Sequence, residues 1–155
     1  MPKTLYGQTI PTIATVVVHS NVSPTDEDWE EVMQMILDHG ATTKNLLVYS
    51  AEAGPTANQR ARFAAVLREV GDLKTVVMSN SRMVRGTITA FGWTMAGKVA
   101  AASADDFDAA IAKFDLSEDD ALRVRVLLKQ LARSADQSVQ AFANESGRFH
   151  KKFGE

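Results

Sequence analysis

The strongest constraint in this chain is a repeated change of hydrophobic period, from short β-branched runs to segments with apolar residues three and four apart. Ile13-Ala14-Thr15-Val16-Val17-Val18-His19 is the first such run. A run that short and that continuously apolar reads as a strand covered on both faces. Ser23-Pro24-Thr25-Asp26 then carries the marks of a helix start, with a serine cap, a proline in the first turn and acids behind it. Trp29, Val32, Met33, Ile36 and Leu37 follow at helical spacing, and Gly40 is expected to close the helix.

The same unit recurs downstream. Asn45 to Ser50 reads as a strand, and a helix carrying Phe63, Val66, Leu67 and Val70 stops at Gly71. Lys74 to Met78 is the next strand, and Ser79-Asn80-Ser81 opens a helix with Val84, Ile88 and Phe91 inward. Lys98 to Ala102 is a weaker strand, expected at or near an edge, before a short helix capped by Ser103. Met1 to Thr9 reads as a polar lead-in. Strands alternating with amphipathic helices require crossover connections. The expected fold class is therefore α/β, a four-stranded, largely parallel sheet with covering helices over residues 1–115.

Beyond it the pattern changes. Ser117 with Asp120 resembles a capping box opening a long C-terminal helix, an extension placed at residues 116–144. Val124, Leu127, Leu128 and Leu131 fall in one stripe, while Leu122 and Val126 lie on the side of Arg125 and Lys129. Its first turns are apolar on two faces. Glu145-Ser146-Gly147 breaks the pattern, and residues 145–155 read as a flexible tail.

Composition narrows the function classes. A chain of 155 residues with 45% hydrophobic residues fits one domain with a full core. A net charge of −2 argues against a nucleic-acid-binding face. With no cysteine, disulfides, thiolate metal sites and a cysteine nucleophile are excluded. No apolar run approaches the roughly 20 residues of a membrane helix, and the first residues lack a signal peptide's apolar middle. A cytoplasmic protein is the expectation.

Several phrases carry a resemblance. They are Thr15-Val16-Val17-Val18-His19, Ser23-Pro24-Thr25-Asp26-Glu27-Asp28-Trp29, Leu46-Leu47-Val48 through Gly54-Pro55 to Gln59-Arg60, and Lys74-Thr75-Val76-Val77-Met78-Ser79. In these phrases and in element order the chain resembles the STAS-like (SpoIIAA-like) proteins of bacteria, closest to small stand-alone members of myxobacterial type, over about residues 10–115. The resemblance implies a mixed sheet with helices largely on one face, and a role in regulation, protein contact or apolar-ligand binding. In STAS phosphoswitches an Asp-Ser-Ser/Thr-Gly phrase starts the helix after the second long strand. Here that place reads Ala53-Gly54-Pro55-Thr56-Ala57-Asn58, so the serine is missing and Thr56 is the nearest hydroxyl.

Two loops at one sheet edge are the candidate sites. Ser50, Gly54, Thr56 and Asn58 lie where a central strand feeds a helix N-terminus, an edge that ligands favour and that suits an anion or a phosphothreonine. An ordinary helix-start turn explains the same residues. Ser79, Asn80, Ser81 and Arg82 occupy the next strand's edge, with Arg85 one turn on, and are equally explained as a cap with a solvated face. Phe91-Gly92-Trp93-Thr94-Met95 reads as an aromatic-rich turn between helix and strand, in which Trp93 and Met95 form either a contact patch or the end of the core. Leu122, Val126, Arg125 and Lys129 are interface candidates, with a homodimer the expected use. His19 and His39 stand outside any metal or triad spacing, so no metal, cofactor or catalytic residue is expected.

The expected function is a non-catalytic regulatory or protein-interaction module acting through the Ser50–Gln59 edge and the C-terminal helix. The alternative is a carrier of a small apolar or lipid ligand, in a cavity between sheet and helices lined by residues such as Trp29, Phe63, Ile88 and Phe91.

Overall fold

The structure is a computed structural model that describes residues 3–50, 54–94 and 98–135, without the side chains of 89–94. Five strands form one sheet in sequential order: β1 (Leu5–Ile10), β2 (Ala14–His19), β3 (Asn45–Tyr49), β4 (Lys74–Ser79) and β5 (Val99–Ser103). β1 runs antiparallel to β2, and the other three pairings are parallel. The sheet is thus mixed and five-stranded, not four-stranded, because the lead-in forms β1. That strand folds back on β2 through a turn in which Thr12 takes a left-handed φ of 65°. β5 occupies the opposite edge, as its weaker pattern implied.

The three parallel steps are made by α1 (Asp26–Thr43), α2 (Ala57–Val70) and α3 (Arg82–Thr94). Crossovers are right-handed, so a sheet that advances in one direction collects its crossover helices on one face. Residues of α1, α2 and α3 share one buried cluster with Leu5, Val17, Leu46 and Val99. The other face carries Val16, Val18, Leu47, Tyr49, Val76 and Met78. It is covered by α4 (Phe107–Ile111), a short 3-10 turn (Ala112–Phe114) and α5 (Glu118–Ser134). Helices therefore lie on both faces, and the C-terminal helix docks its Val124–Leu131 stripe on the sheet. The continuous apolar run of β2, buried at all six positions, follows from that double cover.

Local starts and stops differ from expectation in four places. The α1 cap is Thr25, whose hydroxyl accepts the Asp28 N–H at 3.1 Å, so Ser23 and Pro24 lie outside the helix. Gly40 does not end α1; the helix runs to Thr43, and Lys44 takes the left-handed position with φ 61°. A Cβ on Gly40 would stand 2.9 Å from Val70 Cγ1, so this glycine serves the close approach of α1 to α2. Asp106 caps α4, its carboxylate accepting the Ala109 N–H at 3.0 Å, while Ser103 donates to Asp105. Phe91 to Trp93, read as a turn, belong to the last turns of α3. Ser117 caps α5 as expected, accepting the Asp120 N–H. The expected continuation of that helix to Asn144, and the tail, lie outside the described residues.

Candidate functional site

Three in-register valines, Val17, Val48 and Val77, form a row across β2, β3 and β4 on the crossover face. Above this row α1, α2 and α3 do not close completely. They leave an apolar cavity of about 70 Å³, walled by Trp29 and Met33 of α1, Phe63 of α2 and Ile88 of α3. Val84 and Thr87 of α3, with Pro55 and the exposed Arg60, stand on its outer side. Arg60 is steadied there by a hydrogen bond from Nη1 to the Pro55 carbonyl, 3.1 Å.

The polar part of this wall lies at the C-terminal end of the strands. His19 closes β2, Ser50 follows β3, and Trp29 sits in the first turns of α1. His19 is 3% exposed and Trp29 7%. Their rings meet edge to face with centroids 6.2 Å apart, and Trp29 meets Phe63 in the same manner at 6.4 Å. Neither His19 Nδ1 nor Trp29 Nε1 has a hydrogen-bond partner among the described residues. Burial pushes the His19 ring down from 6.5 to about 4, so it is neutral at ordinary pH.

The two α-helix starts beside the cavity are rigidly made. Thr56 caps α2 by accepting the Gln59 N–H at 3.2 Å, and Gln59 Oε1 accepts the Thr56 N–H at 3.0 Å. The buried Gln59 also donates to the Pro24 carbonyl and to Asp26, each at 2.9 Å, which ties the start of α2 to the start of α1. Ser81 accepts the Val84 N–H at 3.2 Å at the head of α3.

Of the residues singled out from sequence, Ser50 is buried and lines the cavity. Gly54 is half-buried, and a Cβ there would lie 3.9 Å from Val84 Cγ2 of α3. Thr56, Asn58, Asn80 and Arg82 are exposed, outside the cavity, while Ser79 is buried with its hydroxyl accepting the Ser81 N–H. Trp29, Phe63 and Ile88 stand where the cavity reading put them. The side chains of Phe91 and Trp93, and all of Met95, lie outside the described residues. Local sequence missed His19 as a wall residue, and also Arg60 and Thr87. Their only signal is position: the end of a central strand, and the first turns of the helices that follow.

On the far face Arg125 pairs with Asp108 at 2.7 Å and lies over the Phe107 ring, 4.8 Å from its centre, and Lys129 is half-buried. Leu122 and Val126 are 57% and 47% exposed and, with Gln8 and Ile10 of β1, line an open groove. His39 is exposed on α1, one turn before its end. Among the described residues no helix is long and apolar enough to cross a membrane, and no three His, Asp or Glu side chains converge. Comparison of the chain with protein-family models, with curated proteins and with solved structures finds no match in any of the three.

Proposed function

We propose that this domain is a non-catalytic binding module whose ligand is a small, largely apolar molecule held between the sheet and α1–α3. The observation that carries the reading is the cavity itself, about 70 Å³ with an almost wholly apolar wall. Natively packed cores leave few voids larger than a water molecule. This partly open space is about half the roughly 150 Å³ in which a dry apolar cavity takes up benzene. A short or branched fragment fits it; a lipid chain would lie mostly outside, past Pro55 and Arg60.

Xenon is a suitable probe, because apolar cavities bind it without polar contacts. Xenon NMR of the full chain is expected to show saturable binding that Val48→Phe removes by filling the space over the valine row. A wild-type response no different from that of Val48→Phe would overturn the reading.

Self-association through α5 is a second reading, favoured by the exposure of Leu122 and Val126 beside β1, whose outer edge pairs with no other strand of the sheet. A second copy related by a two-fold axis would cover both features at once. Light scattering that finds a monomer at high concentration removes it. The STAS-like regulatory role is supported by the quoted phrases and by the mixed sheet with one-sided crossovers. The cover of the second face by α5 departs from that pattern.

A further inference from the structure

The exposed side of α5 is complementary to itself when turned end for end. At 3.6 residues per turn, Asp119, Leu122, Val126, Gln130 and Arg133 fall within about 80° of the helix circumference, and all five are exposed. The stripe is symmetric about Val126. Leu122 and Gln130 stand four residues to either side of it, and Asp119 and Arg133 seven residues, about 10 Å along the helix. An acid lies at one end, a base at the other and two apolar side chains between them. The opposite side of α5 is packed on the sheet through Val124, Leu127, Leu128 and Leu131. Beside the stripe, Gln8 and Ile10 of β1 complete an open groove of about 400 Å³ with Leu122 and Val126, which is room for side chains from a second helix.

We infer that the occupant of this groove is α5 of a second copy, packed antiparallel about a two-fold axis at Val126. The inference rests on the self-association reading above and gives it an orientation. Antiparallel packing sets Val126 on Val126 of the second copy and brings Asp119 of each copy level with Arg133 of the other, making two ion pairs. Parallel packing would set Asp119 against Asp119 and Arg133 against Arg133, two repulsions. The helix dipoles favour the antiparallel arrangement in the same sense. A shallow crossing of about 20°, one of the preferred classes, keeps side chains about 10 Å from the axis within reach of each other. Exposed ion pairs add little affinity, so the apolar centre holds the dimer and the charges choose its orientation.

Sedimentation equilibrium of the full chain measures the dimer's Kd. Val126→Glu sets two carboxylates together on the axis and is expected to leave only monomer. Asp119→Arg and Arg133→Asp alone should each weaken the dimer about tenfold, the worth of two exposed ion pairs, and together should restore the parent Kd. The chain has no cysteine, so a nitroxide on Ser134→Cys is a unique probe that decides the orientation even if a charge variant does not fold. Mixed with isotope-labelled parent chain, it should broaden the amides around Glu118 of the second copy and not those around Ser134. A monomer at high concentration overturns this inference and the self-association reading together; the groove then belongs to another part of this chain or to a different protein. A dimer indifferent to Val126→Glu uses another face and overturns both as well. A dimer that Val126→Glu breaks but the paired charge reversal does not restore, or broadening around Ser134, overturns the antiparallel inference and leaves self-association through α5 standing.

Discussion

The rings of His19 and Trp29 meet edge to face at 6.2 Å, with planes 69° apart, and each buries a nitrogen that no described residue pairs. An unpaired buried polar group costs about 1–3 kcal/mol. Two of them in one contact make the C-terminal end of β2 a place where stability is given up. The described wall is apolar, and no described carbonyl or carboxylate relieves either nitrogen.

That arrangement has a pH signature. The folded-state value of His19 is about 4 against 6.5 unfolded, so between these limits the unfolded chain binds the extra proton. Stability is therefore independent of this group above about pH 6.5 and falls as pH drops toward 4. The full loss is about 3 kcal/mol, from about 1.4 kcal/mol per pH unit. Asp28 acts lower. Hydrogen bonds from the Thr4 hydroxyl and N–H, both 2.7 Å, hold its carboxyl below the usual range, so its contribution is lost only below about pH 3.8. Urea melts at a series of pH values should show the first slope between 4 and 6.5. A flat profile there would contradict a buried neutral His19.

His19→Leu separates the ring from its burial. Leucine keeps an apolar side chain in the same wall and removes the unpaired Nδ1. The variant should be at least as stable as the parent at pH 7, by roughly 0–1 kcal/mol, and should lose the slope between pH 4 and 6.5. Equilibrium unfolding at both pH values checks this; a loss above about 2 kcal/mol at pH 7 would mean that the imidazole makes a favourable interaction.

Gly40→Ala tests the approach of α1 to α2. In an exposed helix the change would stabilise by about 1 kcal/mol. Here the new methyl would press on Val70 Cγ1 at 2.9 Å. Net destabilisation of about 1–2 kcal/mol is expected, since overpacking costs typically 1–3 kcal/mol. Val70→Ala in the same chain should recover most of it, so the double-mutant cycle should give a coupling well above 0.5 kcal/mol. Additive effects would refute the contact.

What was legible in the sequence depended on how local its cause is. The run through Val16, Val17 and Val18 announced a central strand because both faces are covered. β1 was missed because an edge strand touches the core with part of its length. Leu5 is buried, Gln8 is exposed and Tyr6 and Thr9 are half-buried, which gives neither a continuous run nor a clean alternation. Gly40 looked like a helix stop because its reason, Val70, is thirty residues away. Trp29, Phe63 and Ile88 were legible as wall candidates from their helix faces, and Ser50 as a loop-edge binding candidate from its place after a central strand. His19 reads only as a strand end because the residues that meet it, Trp29 of α1 and Leu5 of β1, are distant in sequence.

Gln59 joins the two helix starts beside the cavity, and its removal should be costly. It is 4% exposed, and its side chain accepts the Thr56 N–H and donates to Pro24 and Asp26. Gln59→Ala leaves the buried Pro24 carbonyl and the Thr56 N–H without that partner. A loss of about 2–3 kcal/mol follows from one cap and one buried unsatisfied group. Gln59→Glu keeps the acceptor to Thr56 but turns the donor toward Asp26 into a second carboxylate. It should be no better than alanine at pH 7 and recover as the pair protonates. Thermal unfolding of both variants at pH 7 and pH 5 decides. A glutamate variant as stable as the parent at pH 7 would show that the bonds to Pro24 and Asp26 contribute nothing, and that the capping box with Thr56 carries the whole effect.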